Sequence, residues 1–299
     1  MATSLDLPES RYADLDGPVH YVEWEGSRER TFVLVHGLGG AYLNWALVGP
    51  GLSRLGRVLA LDLAGFGRTP RAGRSSRLSA SRALLSRFID EVAERPITLV
   101  GNSMGGGIAM LQAAYEPASV DGLVLTSSVF PQARGGIPSP VVMAGFATYR
   151  VPLVGEFVVR QRFHRLPAEG VVRMGFRIAM VDHTRVPEAL VRAHVDLFLE
   201  REHDGDVGPA FLEAARSLLR LGEHHAFARS VVAAVKCPTL VVHGRSDRLV
   251  PVAFALAATE EHPDWMLRIL PGVGHLPMIE APDRWLAAVE TWLERPGSP

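Results

Sequence analysis

The chain has 299 residues, 47% of them hydrophobic and 21% charged, an ordinary globular composition that excludes a disordered or fibrous protein. Its formal net charge of −1 gives no reason to expect a nucleic-acid partner, and a single cysteine, Cys237, excludes an intrachain disulfide. The first residues carry neither a basic patch nor an apolar run, and the longest lightly charged stretch, near 138–149, is too short to span a bilayer. A cytoplasmic protein without a membrane span is therefore the expectation.

Residues 19–24, 31–35 and 57–61 are short β-rich runs and read as strands. Residues 79–94 set Leu84, Leu85, Phe88, Ile89 and Val92 at helical spacing and stop before Pro96. An apolar strand over 97–100 leads directly into a helix over 104–115, and a further strand covers 122–126. Several of these runs are apolar throughout, as expected of a parallel sheet covered by helices on both faces. From about Pro131 to about Ala228, prolines, arginines and helical patterns replace the strands. The alternation then resumes with a strand over 239–243, a helix over 252–261, a strand over 266–270 and a helix over 282–293. This predicts an α/β fold: one sheet domain, residues 1–130 and 229–299, interrupted by a helical insertion over 131–228.

Between the fourth strand and its helix lies Gly101-Asn102-Ser103-Met104-Gly105, a G-x-S-x-G. On a sharp strand-to-helix turn this places the Ser103 hydroxyl at the end of the sheet, in a cramped backbone that favours glycine two residues to either side. The positive end of the helix favours negative charge developing there. A serine hydroxyl is a poor nucleophile at neutral pH, so it needs a base, and the base needs an orienting carboxylate. Of eleven histidines, His275 stands on the loop straight after the last strand, at the same sheet edge as Ser103. Asp247 follows the preceding strand, giving the chain order Ser, Asp, His. The strand ending at Thr126 is followed by Ser127, Ser128 and Val129 and offers no competing carboxylate.

Among the other histidines, His36 is expected to brace a glycine loop and His243 to be a satisfied imidazole at a strand end. His183, His194, His203, His224 and His225 lie in the insertion, with no H-E-x-x-H spacing and no cysteine partner, so neither a metal nor a cofactor is expected. Two donors are needed for an oxyanion: the N–H of Met104, which comes with the turn, and that of Leu38 in His36-Gly37-Leu38-Gly39-Gly40.

Together with Asp62-Leu63-Ala64-Gly65-Phe66-Gly67-Arg68-Thr69, these motifs resemble, over nearly the whole chain, the α/β-hydrolase family with a helical cap. The resemblance implies an eight-stranded, mostly parallel sheet with helices on both faces and the cap inserted after strand six, near Phe130. Relatives that dehalogenate or open epoxides use Asp where this chain has Ser103. The run Gly101-Asn102-Ser103-Met104-Gly105-Gly106 is similar to that of carbon–carbon bond hydrolases acting on ring-cleavage products of aromatic compounds. This chain departs from them in lacking a proline in the His36 loop and in having Leu276 after the base, where they usually carry Trp. The first expectation is a serine hydrolase cleaving small or medium apolar acyl or aryl esters through an acyl-enzyme. Carbon–carbon hydrolysis, cofactor-free perhydrolysis and a ligand-sensing role are the alternatives.

Candidate substrate contacts are Gly39, Asn102, Val250 and Leu276 near the site, with Val142, Met143, Phe146, Phe157 and Met174 from the cap, where packing in the cap core is an equal alternative. Asn44 and Trp45 either edge the pocket or anchor a helix. Arg160, Arg162 and Arg173 lie in the cap, within reach of a charged substrate. The oligomeric state is not legible in the sequence.

Overall fold

The structure is a computed structural model that describes residues 5–130, 138–201 and 204–299. Its centre is an eight-stranded sheet made of β1 (Ser10–Asp14), β2 (Pro18–Trp24), β3 (Thr31–Val35), β4 (Arg57–Leu61), β5 (Ile97–Asn102), β6 (Val120–Thr126), β7 (Thr239–Gly244) and β8 (Met266–Leu270). The spatial order is β1-β2-β4-β3-β5-β6-β7-β8. β1 and β2 pair antiparallel and β2 meets β4 antiparallel; from β4 across to β8 every pairing is parallel. The loops after β3, β4, β5, β6, β7 and β8 therefore emerge at one edge, where ligands of open α/β sheets bind.

Seven strands fall where the sequence places them. β1 does not, because it is an edge strand whose Ser10, Arg11, Tyr12 and Asp14 are exposed, so it has no buried face to print an apolar alternation.

The helices before the insertion are α1 (Gly49–Leu52), α2 (Leu78–Phe88), which runs on through a π turn at Ile89–Ala93, and α3 (Met104–Tyr115). Between β6 and β7 lie α4 (Pro140–Arg150), α5 (Val154–Arg165), α6 (Ala168–Ala179), α7 (Glu188–Glu200), α8 (Val207–Glu223) and α9 (His225–Ala234). The chain closes with α10 (Val252–Glu261), α11 (Pro277–Glu280) and α12 (Pro282–Leu293). The expected start of the insertion, at 131, and His203 lie outside the described residues.

At its far end, the boundary drawn at 228–229 falls inside α9. That helix packs against α3, and its Val231 and Val232 belong to the core under the sheet.

Two apolar layers sandwich the sheet. One gathers Leu85, Phe88, Ile108, Leu123, Val232 and Ala255; the other gathers Trp45, Leu52, Trp285, Val289 and Trp292. The inserted helices share these layers: Phe176, Met180, Leu190, Val191 and Leu197 join the second, and Ala214 joins the first. The inserted helices are thus held by the same burial that stabilises the sheet. No helix among the described residues is long and apolar enough to cross a membrane.

Candidate active site

Ser103 follows β5 and caps α3 with φ 54° and ψ −117°, a conformation a non-glycine residue adopts only when its surroundings dictate it. They do so here by hydrogen bonding. The Ser103 N–H donates to Thr126 O at 3.1 Å, and its own carbonyl accepts from Gly106 and Gly107 of the first helical turn. At Gly105 a Cβ would overlap the carbonyls of Val35 and His36, so the close approach of α3 to β3 demands glycine there. Beside the turn, a methyl at Gly37 would come within 3.1 Å of Ser103 Cβ, which places the His36–Gly40 loop directly against the serine.

Asp247 and His275 lie side by side. His275 Nδ1 lies 2.8 Å from Asp247 Oδ2. A carboxylate only accepts, so the proton is on Nδ1 and Nε2 offers a lone pair. Asp247 Oδ1 accepts from the N–H groups of Leu249 (2.8 Å) and Val250 (2.9 Å), which fixes the carboxylate on its loop. Burial alone would push this carboxyl up, but His275 and His243 beside it hold it well below the usual carboxylate range. Ser103, His275 and Asp247 keep only 9%, 7% and 8% of their surfaces exposed, so a group bound there would be largely shielded from water. Ser103 Oγ and His275 Nε2 are not joined by a hydrogen bond among the described residues. The two loops are tied instead through Asn102, whose Nδ2 donates to Thr126 O (3.0 Å) and His275 O (3.3 Å). Catalytic hydrogen bonds of this kind often close only around a substrate.

The expected oxyanion donors lie on the two stretches that meet at Ser103, the start of α3 and the His36–Gly40 loop. Met104 is the first residue of α3, so its N–H has no carbonyl one turn back. Leu38 N–H has no acceptor among the described residues, while the loop it sits on closes through Gly40 N–H to Gly37 O at 3.0 Å. His36 braces that loop: its Nδ1–H donates to Gly37 O at 2.7 Å and its Nε2 accepts from Leu63 N–H at 3.1 Å. Burial pushes the His36 pKa down, consistent with a neutral ring. Asn44 Oδ1 accepts from Ala41 N–H and lies under Gly40, so it shapes the loop from below.

Several expected contacts need correction. Asn102 is 1% exposed and its amide is committed to two backbone carbonyls, so it fastens the turn and does not face a ligand. Met143 and Phe157 are each 51% exposed, so neither is packed in the core of the inserted helices. Arg173 is held at the surface by Glu169 (2.7 Å) and Glu188 (2.9 Å), which leaves it no reach toward the site. The Arg162 and His225 side chains lie outside the described residues. His243 is only half satisfied: one ring nitrogen, Nε2, lies 2.9 Å from Val250 O and 3.4 Å from Asp247 Oδ2, while Nδ1 is buried with no partner among the described residues. Val250 and Leu276 are buried beside the acid and base loops, and Trp45 is fully buried against Trp285. Val142 is buried and Phe146 and Met174 half-buried in the cap.

Sequence reasoning missed the residue that approaches the oxyanion loop from above. The Phe211 ring of α8 would meet a Cβ at Gly39 at 3.4 Å. Tyr149 stands edge-on to Phe211 at 5.3 Å and Phe146 edge-on to Tyr149 at 6.0 Å, so three aromatic rings from α4 and α8 run out from the site. Phe211 falls off the buried stripe of α8 formed by Ala210, Leu212, Ala214 and Ala215, and nothing local in the sequence marks it. No group of three or more His, Cys, Asp or Glu among the described residues could hold a metal ion. Cys237 is half-buried at the opposite end of the strands, and desolvation pushes its thiol up to about 11, so it offers no rival nucleophile.

An eight-stranded, mostly parallel sheet with a serine on the strained turn after β5 and a His–Asp pair on the last two loops defines a class, the α/β-hydrolase fold. The sequence model of that fold family matches residues 30–282, and the chain belongs to it. A 2-hydroxy-6-oxononadienedioate/2-hydroxy-6-oxononatrienedioate hydrolase from Pseudomonas putida is 27% identical over 281 residues, covering 92% of this chain and 91% of that one. Among solved structures, a haloalkane dehalogenase from Agrobacterium tumefaciens C58 superposes with a TM-score of 0.80 at 19% identity, covering 96% of this chain and 97% of that one. A thermophilic esterase from Thermogutta terrifontis does so with a TM-score of 0.68 at 22% identity, covering 95% and 98%. At those identities the two structures speak for the fold alone.

Proposed function

We propose that the protein is a serine hydrolase that cleaves carboxylic esters with an apolar acyl or aryl group through an acyl-enzyme, without a cofactor. The observation that carries this is the His275–Asp247 hydrogen bond, whose proton placement leaves Nε2 as a base, at an edge where Asn102 ties the base loop to the strained Ser103 turn. Ser103 Oγ attacks the ester carbonyl while His275 Nε2 takes its proton, and the Leu38 and Met104 N–H groups receive the oxyanion. The tetrahedral intermediate collapses as His275 hands the proton to the leaving alcohol. A water then repeats the sequence on the acyl-enzyme, releasing the acid and restoring Ser103. Asp247 stays ionised throughout and holds the imidazole tautomer. The aromatic rings of Phe211, Tyr149 and Phe146 suit an apolar acyl group.

A second activity has its own support. The Pseudomonas putida relative is by name a hydrolase of 2-hydroxy-6-oxononadienedioate, a vinylogous acid whose cleavage breaks a carbon–carbon bond, and the same serine site would serve it. The oxyanion loop without proline and Leu276 after the base favour ester hydrolysis. A panel of p-nitrophenyl esters of graded chain length, run beside a coloured dienoate acid, separates the two. Bleaching of the dienoate without ester turnover would reverse their order. For either substrate, Ser103→Ala is expected to lower kcat on the order of 10⁶-fold with an unchanged fold, and turnover within tenfold of wild type would remove Ser103 from the chemistry.

A further inference from the structure

Glu280 is the last residue of α11, 3% exposed, and has no cationic partner among the described residues. Its two oxygens take three backbone N–H groups from two distant stretches of chain. Oε2 accepts from Gly274 at 2.7 Å; Oε1 accepts from Val181 at 3.0 Å and Asp182 at 2.8 Å. Gly274 immediately precedes His275, while Val181 and Asp182 follow α6 in the cap. The same two stretches also touch directly, with His275 N–H donating to Ala179 O at 2.7 Å. They pack so closely that a Cβ at Gly274 would stand 2.5 Å from that carbonyl and 3.0 Å from Met180 Cα. α11 is anchored below by Met278 and Ile279, both in the core, so the carboxylate is the fixed end of this arrangement and the two loops are the guided ends. A buried carboxylate is costly unless its lone pairs are filled, and here it is filled wholly by backbone that has to be in the right place.

We propose that Glu280 is a positioning residue, which joins the seat of the cap to the alignment of His275 and so makes an ordered cap a condition for a competent base. This rests on His275 acting as the base in the serine mechanism above. Glu280 touches no reacting atom; it acts through the backbone of residues 274 and 275, where a displacement near 1 Å is enough to cost about 100-fold in rate.

Glu280→Gln keeps the shape but turns one acceptor into a donor facing an N–H, breaking one arm of the clamp without opening a cavity. We expect kcat to fall about 30-fold while KM stays within about threefold. The downfield proton resonance of the His275 Nδ1–H bonded to Asp247 should broaden or shift in the intact enzyme. Gly274→Ala attacks the same junction from the other side with the carboxylate intact, and should give the same division between kcat and KM. Wild-type kcat with an unaltered resonance in Glu280→Gln overturns the proposal, as does a loss of activity in both variants that only tracks lost folded protein. Ser103→Ala, assayed alongside, keeps the two ideas apart. If it retains turnover the serine mechanism fails; if it is dead while Glu280→Gln matches wild type, only the role of Glu280 fails.

Discussion

Two histidine–aspartate pairs lie in this molecule at nearly the same separation, His275–Asp247 at 2.8 Å and His20–Asp62 at 2.7 Å, and they are wired in opposite ways. In the second pair both carboxylate oxygens and both ring nitrogens are engaged. Asp62, fully buried on the loop after β4, also accepts from the N–H groups of Tyr42 (2.7 Å) and Arg68 (2.8 Å). His20 Nε2 is closed by Ser10 Oγ at 2.9 Å, and the rings of Tyr12 and Tyr42 stand edge-on to the imidazole. Arg68 bridges onward from Ser10 and Tyr42 to Glu200 of the cap helix α7, with two contacts of 2.8 Å. In the first pair the carboxylate is fixed by its own loop, but the far nitrogen of His275 is left unspent at the edge where Ser103 is held on a strained turn. A Ser, a His and an Asp in hydrogen-bonding sequence do not make a site. What distinguishes one is a lone pair with no partner, beside a nucleophile and N–H donors that also lack one.

The sharpest way to break that contrast is to exchange each aspartate for its amide. Asp247→Asn keeps an acceptor for Leu249 and Val250 but turns an NH₂ toward His275, which moves the imidazole proton to Nε2 and removes the base. Triads of this kind lose about 10⁴ in kcat from such a change. Steady-state kinetics on any turned-over ester checks it, and a loss below tenfold would mean that His275 does not depend on Asp247. Asp62→Asn puts an NH₂ either against the Tyr42 N–H or against both the Arg68 N–H and the His20 ring, inside a sealed network. The expected cost is about 3 kcal/mol of stability, read as a lower urea midpoint, with kcat per folded molecule within about threefold of wild type. A large fall in kcat with the urea midpoint intact would make the two pairs equivalent after all.

How much of this contrast the sequence could show depends on distance along the chain. The Ser103 turn was legible because its signal is local: an apolar strand, glycines at fixed offsets and a helix within a dozen residues. The places of Asp247 and His275 followed from strand counting. His20 carried no signal, since its partner lies 42 residues away, its ring is closed by Ser10 on an edge strand without apolar alternation, and only the Asp62–Arg68 motif hinted at structure there. Glu280 and Phe211 were hidden for the same reason. Each is defined by what it meets across the fold, a three-way backbone clamp in one case and an approach to Gly39 in the other. The cap was legible only as helices, because which of its apolar faces turn inward is decided by packing on two core layers that the sequence does not print.

A third kind of histidine allows the smallest and cleanest test, since it has neither a carboxylate nor a task. His194, on α7 of the cap, has Nδ1 2.9 Å from Leu190 O and its ring edge-on to Phe176 at 5.2 Å. Desolvation pulls its pKa down to about 4. In the unfolded chain the group titrates near 6.5, so below that pH the unfolded state takes up a proton that the folded state refuses. The stability His194 confers by staying neutral is therefore complete above about pH 6.5 and drains away as the pH falls toward 4, with no further loss below. His36, also pulled down by burial, loses stability in the same direction on the core side. Urea midpoints at pH 7.5 and 4.5 should thus fall for wild type. His194→Gln, which has nothing to protonate, should give back about 2 kcal/mol of that fall and leave the share of His36 in place. Equal falls in the two proteins would show that the cap admits water at α7 under acid. The roof over Ser103 would then open as an early step of acid unfolding, before the sealed network around Asp62 yields.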